Sequence, residues 1–417
     1  MGFPTKASGI HCDKIHNSRS FEQFLQPYYD NYYQFRHKQE GKLFSLIHPQ
    51  RPEDAGCRYP LFCVRLLRRL DYSEAATMAA GTETQVNVIV AMDFSDAIMD
   101  KIRAVSPQLK VERCFPDVPD KALADVEVLY TQRFLPDPAQ TPHLRWVQLH
   151  SAGVDHAVNQ PVMQSQDVEV TTTSGIHATF MTEYCVMMML AFAFKLPLMM
   201  EYKAQAEWPN TPQKPIMPDH LRGKTVGIVG YGVIGRELGR VANALGMRVL
   251  ASKRDVMHPA DHDSYRLPDT GDPEGEIPVR IYPPEALRSM VSECDYLVVI
   301  TPLTAASRHL VDENILSAMK KTAILINIAR GAVVDEQALI SALAAKTIAG
   351  AALDVFETEP LPNTSPLWNL DNVIISPHIA GNSVDYHEKA ADLFIENLER
   401  YLENRPLLNV VDRERGY

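Results

Sequence analysis

The 417 residues carry 41 Lys and Arg against 52 Asp and Glu, a formal net charge of −11. That balance argues against partners recruited by positive charge, such as nucleic acid or an anionic membrane, and leaves small molecules as the expected partners. The chain is too long for one compact core and fits two domains with an added tail.

Residues 1–84 differ from the rest, with eleven Lys and Arg against nine Asp and Glu and a crowd of tyrosines at 28, 29, 32 and 33. They are expected to form an extension outside the fold, with Met78 a second candidate start for residues that follow. The six cysteines, Cys12, Cys57, Cys63, Cys114, Cys185 and Cys294, contain no C-x-x-C pair. Neither a metal site nor a disulfide framework is expected, and the plain reading is a reducing, cytoplasmic setting.

From residue 86 short β-rich runs alternate with helical or turn-rich segments: VNVIVA (86–91), VLYT (128–131), WVQL (146–149) and VEVTTT (168–173). This is the pattern of an open α/β sheet. A long helical pattern follows over about 178–207. Its most apolar part, YCVMMMLAFAF (184–194), ends at Lys195 and Pro197, short of the ~20 residues needed to span a bilayer. It reads as a buried or subunit-facing helix whose methionines fill gaps in packing.

A second series of six apolar strands comprises TVGIVG (225–230), RVLAS (248–252), YLVVI (296–300), AILINI (323–328), GAALDV (350–355) and NVIIS (372–376). Strands of this kind, apolar throughout and separated by helices, predict a parallel sheet covered on both faces. The last helical pattern, YHEKAADLFIENLERYLENRP, has Ala391, Phe394, Leu398 and Tyr401 at helical spacing and is expected to cross back to the first sheet. The predicted layout is a discontinuous first domain of 85–181 with 382–417, and a second domain of 182–381.

The second series opens on a G-x-G-x-x-G, with Gly230, Gly232 and Gly235 between a strand and a helix. In that context the first glycine allows the tight turn, the second lets backbone approach a pyrophosphate, and the third lets helix and strand pack closely. Folds of this kind usually place an acid about 20 residues on, to bind the adenosine ribose. Here the strand tip offers Ser252, Lys253 and Arg254, with no carboxylate before Asp255. A hydroxyl and two cations suit a 2′-phosphate, so NADP(H) is expected in preference to NAD(H), which stays usable. The stretch that follows, 258–278, has six acids and one arginine and reads as a polar surface loop.

Three later strands each end on an ionisable group: Arg330 in NIARG, Asp354 with Glu359 in DVFETEP, and His378 in SPHIAG. The carboxyl ends of parallel strands are where open α/β sheets bind ligands, so these residues are expected to share one crevice. The planar fork of an arginine can hold carboxylate or carbonyl oxygens and a histidine titrates near neutrality, so Arg330 and His378 are candidates to bind and protonate a substrate, with Glu359 orienting the ring and favouring its charged form.

With TPLT (301–304) and SAGVDH (151–156), these motifs cover roughly 86–412 in an order that resembles the D-isomer-specific 2-hydroxyacid dehydrogenases, among them glyoxylate/hydroxypyruvate reductases. The resemblance implies a Rossmann dinucleotide-binding domain inserted into a flavodoxin-like substrate domain, and a homodimer joined near the long linking helix. It implies a catalytic set of Arg330, Glu359 and His378, and Asp354 at the nicotinamide carboxamide. Val233, Ile234, Thr301, Pro302, Ile328, Ala329 and Gly381 would line the cofactor beside the glycines, and Ser151, Ala152 and Gly153 the substrate carboxylate. The same family includes dinucleotide-binding corepressors, so a scaffold with little turnover is the alternative. Formate dehydrogenases carry glutamine where Glu359 stands, which sets them further off.

Overall fold

The computed structural model describes residues 85–209, 216–262 and 264–416; the extension read over 1–84 lies outside the described residues. Among the described residues twelve strands form two parallel sheets. The first contains β1 (Val86–Ala91), β2 (Leu109–Arg113), β3 (Val128–Thr131), β4 (Trp146–Leu149) and β5 (Glu169–Thr171) in the order β2-β1-β3-β4-β5, the flavodoxin-like order. The second contains β6 (Thr225–Val229), β7 (Arg248–Ser252), β8 (Arg280–Tyr282), β9 (Tyr296–Val299), β10 (Ile324–Asn327), β11 (Gly350–Leu353) and β12 (Val373–Ile375). Its order, β12-β11-β10-β9-β6-β7-β8, is the doubly wound Rossmann order with one strand added at the far edge.

Every residue of β3, β4, β6, β9, β10 and β11 is buried, as apolar strands covered on both faces should be. Two strands escaped the sequence reading, and both lie at sheet edges. β2 reads LKVER, with a charge at three of five positions and only Leu109 buried. β8 has three residues, RIY. Edge strands carry charge because one side of the ladder faces water, and that erases the apolar run by which a strand is recognised.

The linking helix runs over Ala178–Ala193 and then breaks, where one continuous helical pattern had been expected. Lys195 takes a left-handed backbone (φ 55°), and a second helix, Leu196–Ala204, restarts with Pro197 in its first turn. Proline is tolerated there because its missing N–H has no helical partner. Met181, Tyr184, Cys185, Met188 and Met189 pack against Val226, Ile228 and Leu238 of the second sheet and its first helix. Met187, Leu190 and Phe194 face outward. Among the described residues no single helix is long and apolar enough to cross a membrane.

The C-terminal helix, Tyr386–Leu402, returns to the first sheet. Ala391, Phe394 and Leu398 enter one core with Val88, Tyr130 and Trp146. Phe394 is wholly buried, worth about 2–3 kcal/mol relative to exposure.

Candidate active site

The dinucleotide loop leaves β6 at its carboxyl end, where neighbouring strands run to opposite sides. Gly230 has φ 105°, and a Cβ there would meet Thr301 N at 2.9 Å and Ile300 C at 3.0 Å. Any other residue would be strained and would also press on backbone. A Cβ on Gly235 would run into the Gly230 carbonyl, since the helix Val233–Ala244 packs directly on the loop. Gly232 precedes that helix, and a Cβ there would meet nothing within 4 Å. Open space therefore lies over first-turn N–H groups that have no helical partner, and this cradle fits a dinucleotide pyrophosphate.

At the tip of β7, Ser252 is buried and its carbonyl accepts from Gly230 N (3.0 Å). Lys253 Nζ donates to the His258 carbonyl (2.6 Å), and burial, with Arg236 nearby, pushes its pKa down. Asp255, the first acid after the strand, is turned onto its own loop. It accepts from the main-chain N–H of Met257 (3.1 Å) and His258 (3.3 Å) and from the His258 ring (2.8 Å), and these bonds hold its carboxyl below the usual range.

The 258–278 stretch is more than a polar surface loop. Tyr231 donates to Asp272 (2.7 Å), Gly271 N donates to Glu237 (2.6 Å), and the Arg236 guanidinium donates to the carbonyls of Pro259 and Asp272. Arg236, Glu237 and Asp272 are all buried. The loop's acids and carbonyls thus pair with the first turns of the dinucleotide helix. Composition alone shows polarity but not these partners.

The three candidate catalytic residues are linked through one short chain of contacts. The His378 ring donates from Nδ1 to Glu359 Oε2 (2.6 Å), leaving Nε2 as the outward nitrogen. The other oxygen of Glu359 accepts from Phe356 N (3.0 Å). Gly331, next to Arg330, lies so close to Phe356 that a Cβ there would overlap the Phe356 carbonyl. The turns after β10, β11 and β12 therefore form one assembly.

Asp354 is 1% exposed, and both its oxygens are engaged with the loop that carries the histidine. One accepts from Ser376 Oγ (2.6 Å) and Ile379 N (2.9 Å), the other from Ala380 N (2.9 Å). Ser376 is in turn hydrogen-bonded to Tyr184 OH (2.6 Å), which ties this loop to the linking helix. His378 itself has φ 54°.

Arg330 reaches the loop after β4. Its Nε and Nη2 both donate to Asp155 Oδ1 (3.2 and 3.0 Å), and its Nη1 donates to the Ala329 carbonyl (2.8 Å). Burial would raise the Asp155 carboxyl, but the charge and hydrogen bonds of Arg330 outweigh it and hold it below the usual range. Ser151 Oγ donates to the Gly153 carbonyl (2.8 Å) and braces the same loop. Asp155 lies inside the SAGVDH motif, yet the sequence reading gave it no role; only the contact with Arg330 reveals one.

Behind this loop lie two buried histidines. Tyr386 OH donates to the His150 carbonyl (2.8 Å), so it accepts from His177 Nε2 (3.1 Å), which leaves His177 Nδ1 as a buried lone pair without a partner. Burial first, then His387 and His177, push His150 down to about 3. Burial, then Arg330 and Lys389, push His177 down to about 4.

Comparison with known proteins gives the same picture. Residues 186–380 match the family model described as D-isomer specific 2-hydroxyacid dehydrogenase, NAD binding domain. A glyoxylate reductase of Korarchaeum cryptofilum is 33% identical over 274 residues, 66% of this chain and 77% of the relative. A D-isomer specific 2-hydroxyacid dehydrogenase from Xanthobacter autotrophicus, solved with NADPH and MES, superposes with TM-score 0.65 at 29% identity, over 80% of this chain and 100% of that one. An NADPH-dependent glyoxylate/hydroxypyruvate reductase from Sinorhizobium meliloti, solved with NADP and sulfate, superposes with TM-score 0.65 at 25% identity over the same shares. With a flavodoxin-like sheet, a Rossmann sheet and a glycine cradle already in place, these likenesses assign the chain to the D-isomer specific 2-hydroxyacid dehydrogenases, a family of NAD(P)-dependent oxidoreductases.

Proposed function

We propose that this protein reduces a small 2-oxo acid of the glyoxylate or hydroxypyruvate type to the 2-hydroxy acid, the D isomer where the product is chiral, with NADPH as the preferred reductant. The observation that carries the proposal is the His378–Glu359 pair at 2.6 Å, joined through Phe356 to the turn that bears Arg330. A bound nicotinamide cofactor supplies the hydride. Arg330 holds the substrate's carboxylate and 2-oxo oxygen, and the Ser151, Ala152 and Gly153 segment receives the carboxylate from the other side. His378 Nε2 delivers the proton to the developing alkoxide, while Glu359, on Nδ1, fixes the ring and balances its charge. In this reading Asp354 positions the histidine loop as well as facing the nicotinamide carboxamide.

The cofactor preference rests on the strand tip. Ser252, Lys253 and Arg254 bring a hydroxyl and two cations to the tip, with Lys253 held on the His258 carbonyl, and the acid that would favour a ribose diol, Asp255, is bonded to the same loop. We propose the domain division 85–181 with 382–417 and 182–381. We also propose a homodimer through the outward apolar face of Met187, Leu190, Phe194 and Met200, which light scattering would register as a doubled mass.

The test is steady-state oxidation of NADPH and NADH with glyoxylate, hydroxypyruvate and 2-oxoisocaproate. Turnover of at least one acid, with kcat/KM higher for NADPH, is the expected result. A higher value for NADH overturns the cofactor assignment, and negligible turnover of every acid with intact cofactor binding favours the scaffold reading.

A further inference from the structure

Arg330 has five N–H groups, all donors and none able to accept. Nε and Nη2 share Asp155 Oδ1, and Nη1 takes the Ala329 carbonyl. Among the described residues these are its hydrogen bonds, which leaves one N–H on Nη1 and one on Nη2. The two nitrogens form the end of the guanidinium fork, a spacing that matches a carboxylate or a carboxylate and ketone pair. Asp155 therefore occupies the Nε side of the fork and leaves one N–H on each terminal nitrogen available.

The pair is 31% and 44% exposed in its side chains, and ion pairs so open to water contribute about 0–1 kcal/mol to stability. Stability does not explain its geometry. The sequence has also made room for the contact: a Cβ on Gly153 would stand 2.9 Å from Asp155 Oδ1 and would overlap the Arg330 guanidinium. Asp155 belongs to the loop after β4, whereas Arg330 follows β10, so the pair joins the carboxyl ends of the two sheets at the point where substrate would bind.

We propose that Asp155 is the positioning residue of Arg330, turning the end of the guanidinium toward the 2-oxo acid by holding its side edge. The inference rests on the reading of Arg330 as the substrate-binding arginine. A large loss of kcat/KM in R330A relative to the unaltered enzyme tests that reading by itself, and the effect of D155A is judged separately.

The decisive experiment is a double-mutant cycle on the full chain with NADPH and the best acid of the panel, using D155A, R330A and the double variant. Single-turnover NADPH consumption at enzyme excess keeps the slow variants measurable. D155A is expected to lose roughly tenfold or more in kcat/KM, because small misplacements of a reacting geometry carry that weight, with NADPH affinity unchanged. In the R330A background the same substitution is expected to change nothing beyond about twofold, since its effect passes through the arginine. D155N, which keeps an oxygen acceptor, should recover part of the loss, and it carries the cycle if D155A does not fold. A loss under twofold in D155A, or a loss that recurs in full beside R330A, overturns the proposal.

Discussion

His378 and His177 carry the same ring in opposite surroundings. His378 is 46% exposed in its side chain and bonded to a carboxylate. His177 is buried, its charged neighbours are Arg330 and Lys389, and its pKa is about 4. His150, buried beside Tyr130 and two further histidines, lies at about 3. A histidine near Arg330 is thus not by itself an acid. Burial beside Arg330 and Lys389 holds the His177 ring neutral, whereas the His378 ring has a carboxylate partner and reaches water.

The largest test of this contrast is His378→Asn, which is expected to lower kcat by at least ~100-fold while leaving NADPH affinity in place. The equivalent change at His177 should lower kcat by less than about tenfold. Equal losses at the two positions would break the distinction. Glu359→Gln comes next, with roughly a tenfold loss of kcat, because the ring remains but its orientation is no longer fixed by a charged partner.

The smallest effect is on stability. The buried histidines have folded pKa values below their ordinary 6.5, so on acidification the unfolded chain takes up protons first. Stability is then full above about pH 6.5 and falls as the pH drops toward 4, by roughly 1–2 kcal/mol per histidine between pH 7 and pH 5. Denaturant midpoints at those two pH values check it: His177→Asn should shrink the difference by one histidine's share, and an unchanged difference would remove His177 from the neutral class.

Much of this was legible before any coordinates. The glycine loop announced itself because each glycine answers a separate steric demand, now visible at Gly230 and Gly235. The interior strands were readable because burial on both faces leaves only apolar residues. LKVER at 109–113 and RIY at 280–282 were not, since edge strands share their composition with loops. The break at Lys195 was hidden because the apolar residues continue on both sides of it. Asp155 and the anchoring of 258–278 are contacts between residues far apart in sequence, and no local pattern encodes them. Arg330 and Asp155 are an example, 175 positions apart.

The left-handed backbone at His378 governs which replacements there can be interpreted. Asparagine accepts that region at least as readily as histidine does, while a β-branched residue would force the main chain out of it. Because that main chain donates to Asp354 at three successive positions, His378 N, Ile379 N and Ala380 N, a valine at 378 would unseat the whole turn and remove activity for reasons unrelated to the imidazole. Asparagine takes away the ring and leaves its mounting intact.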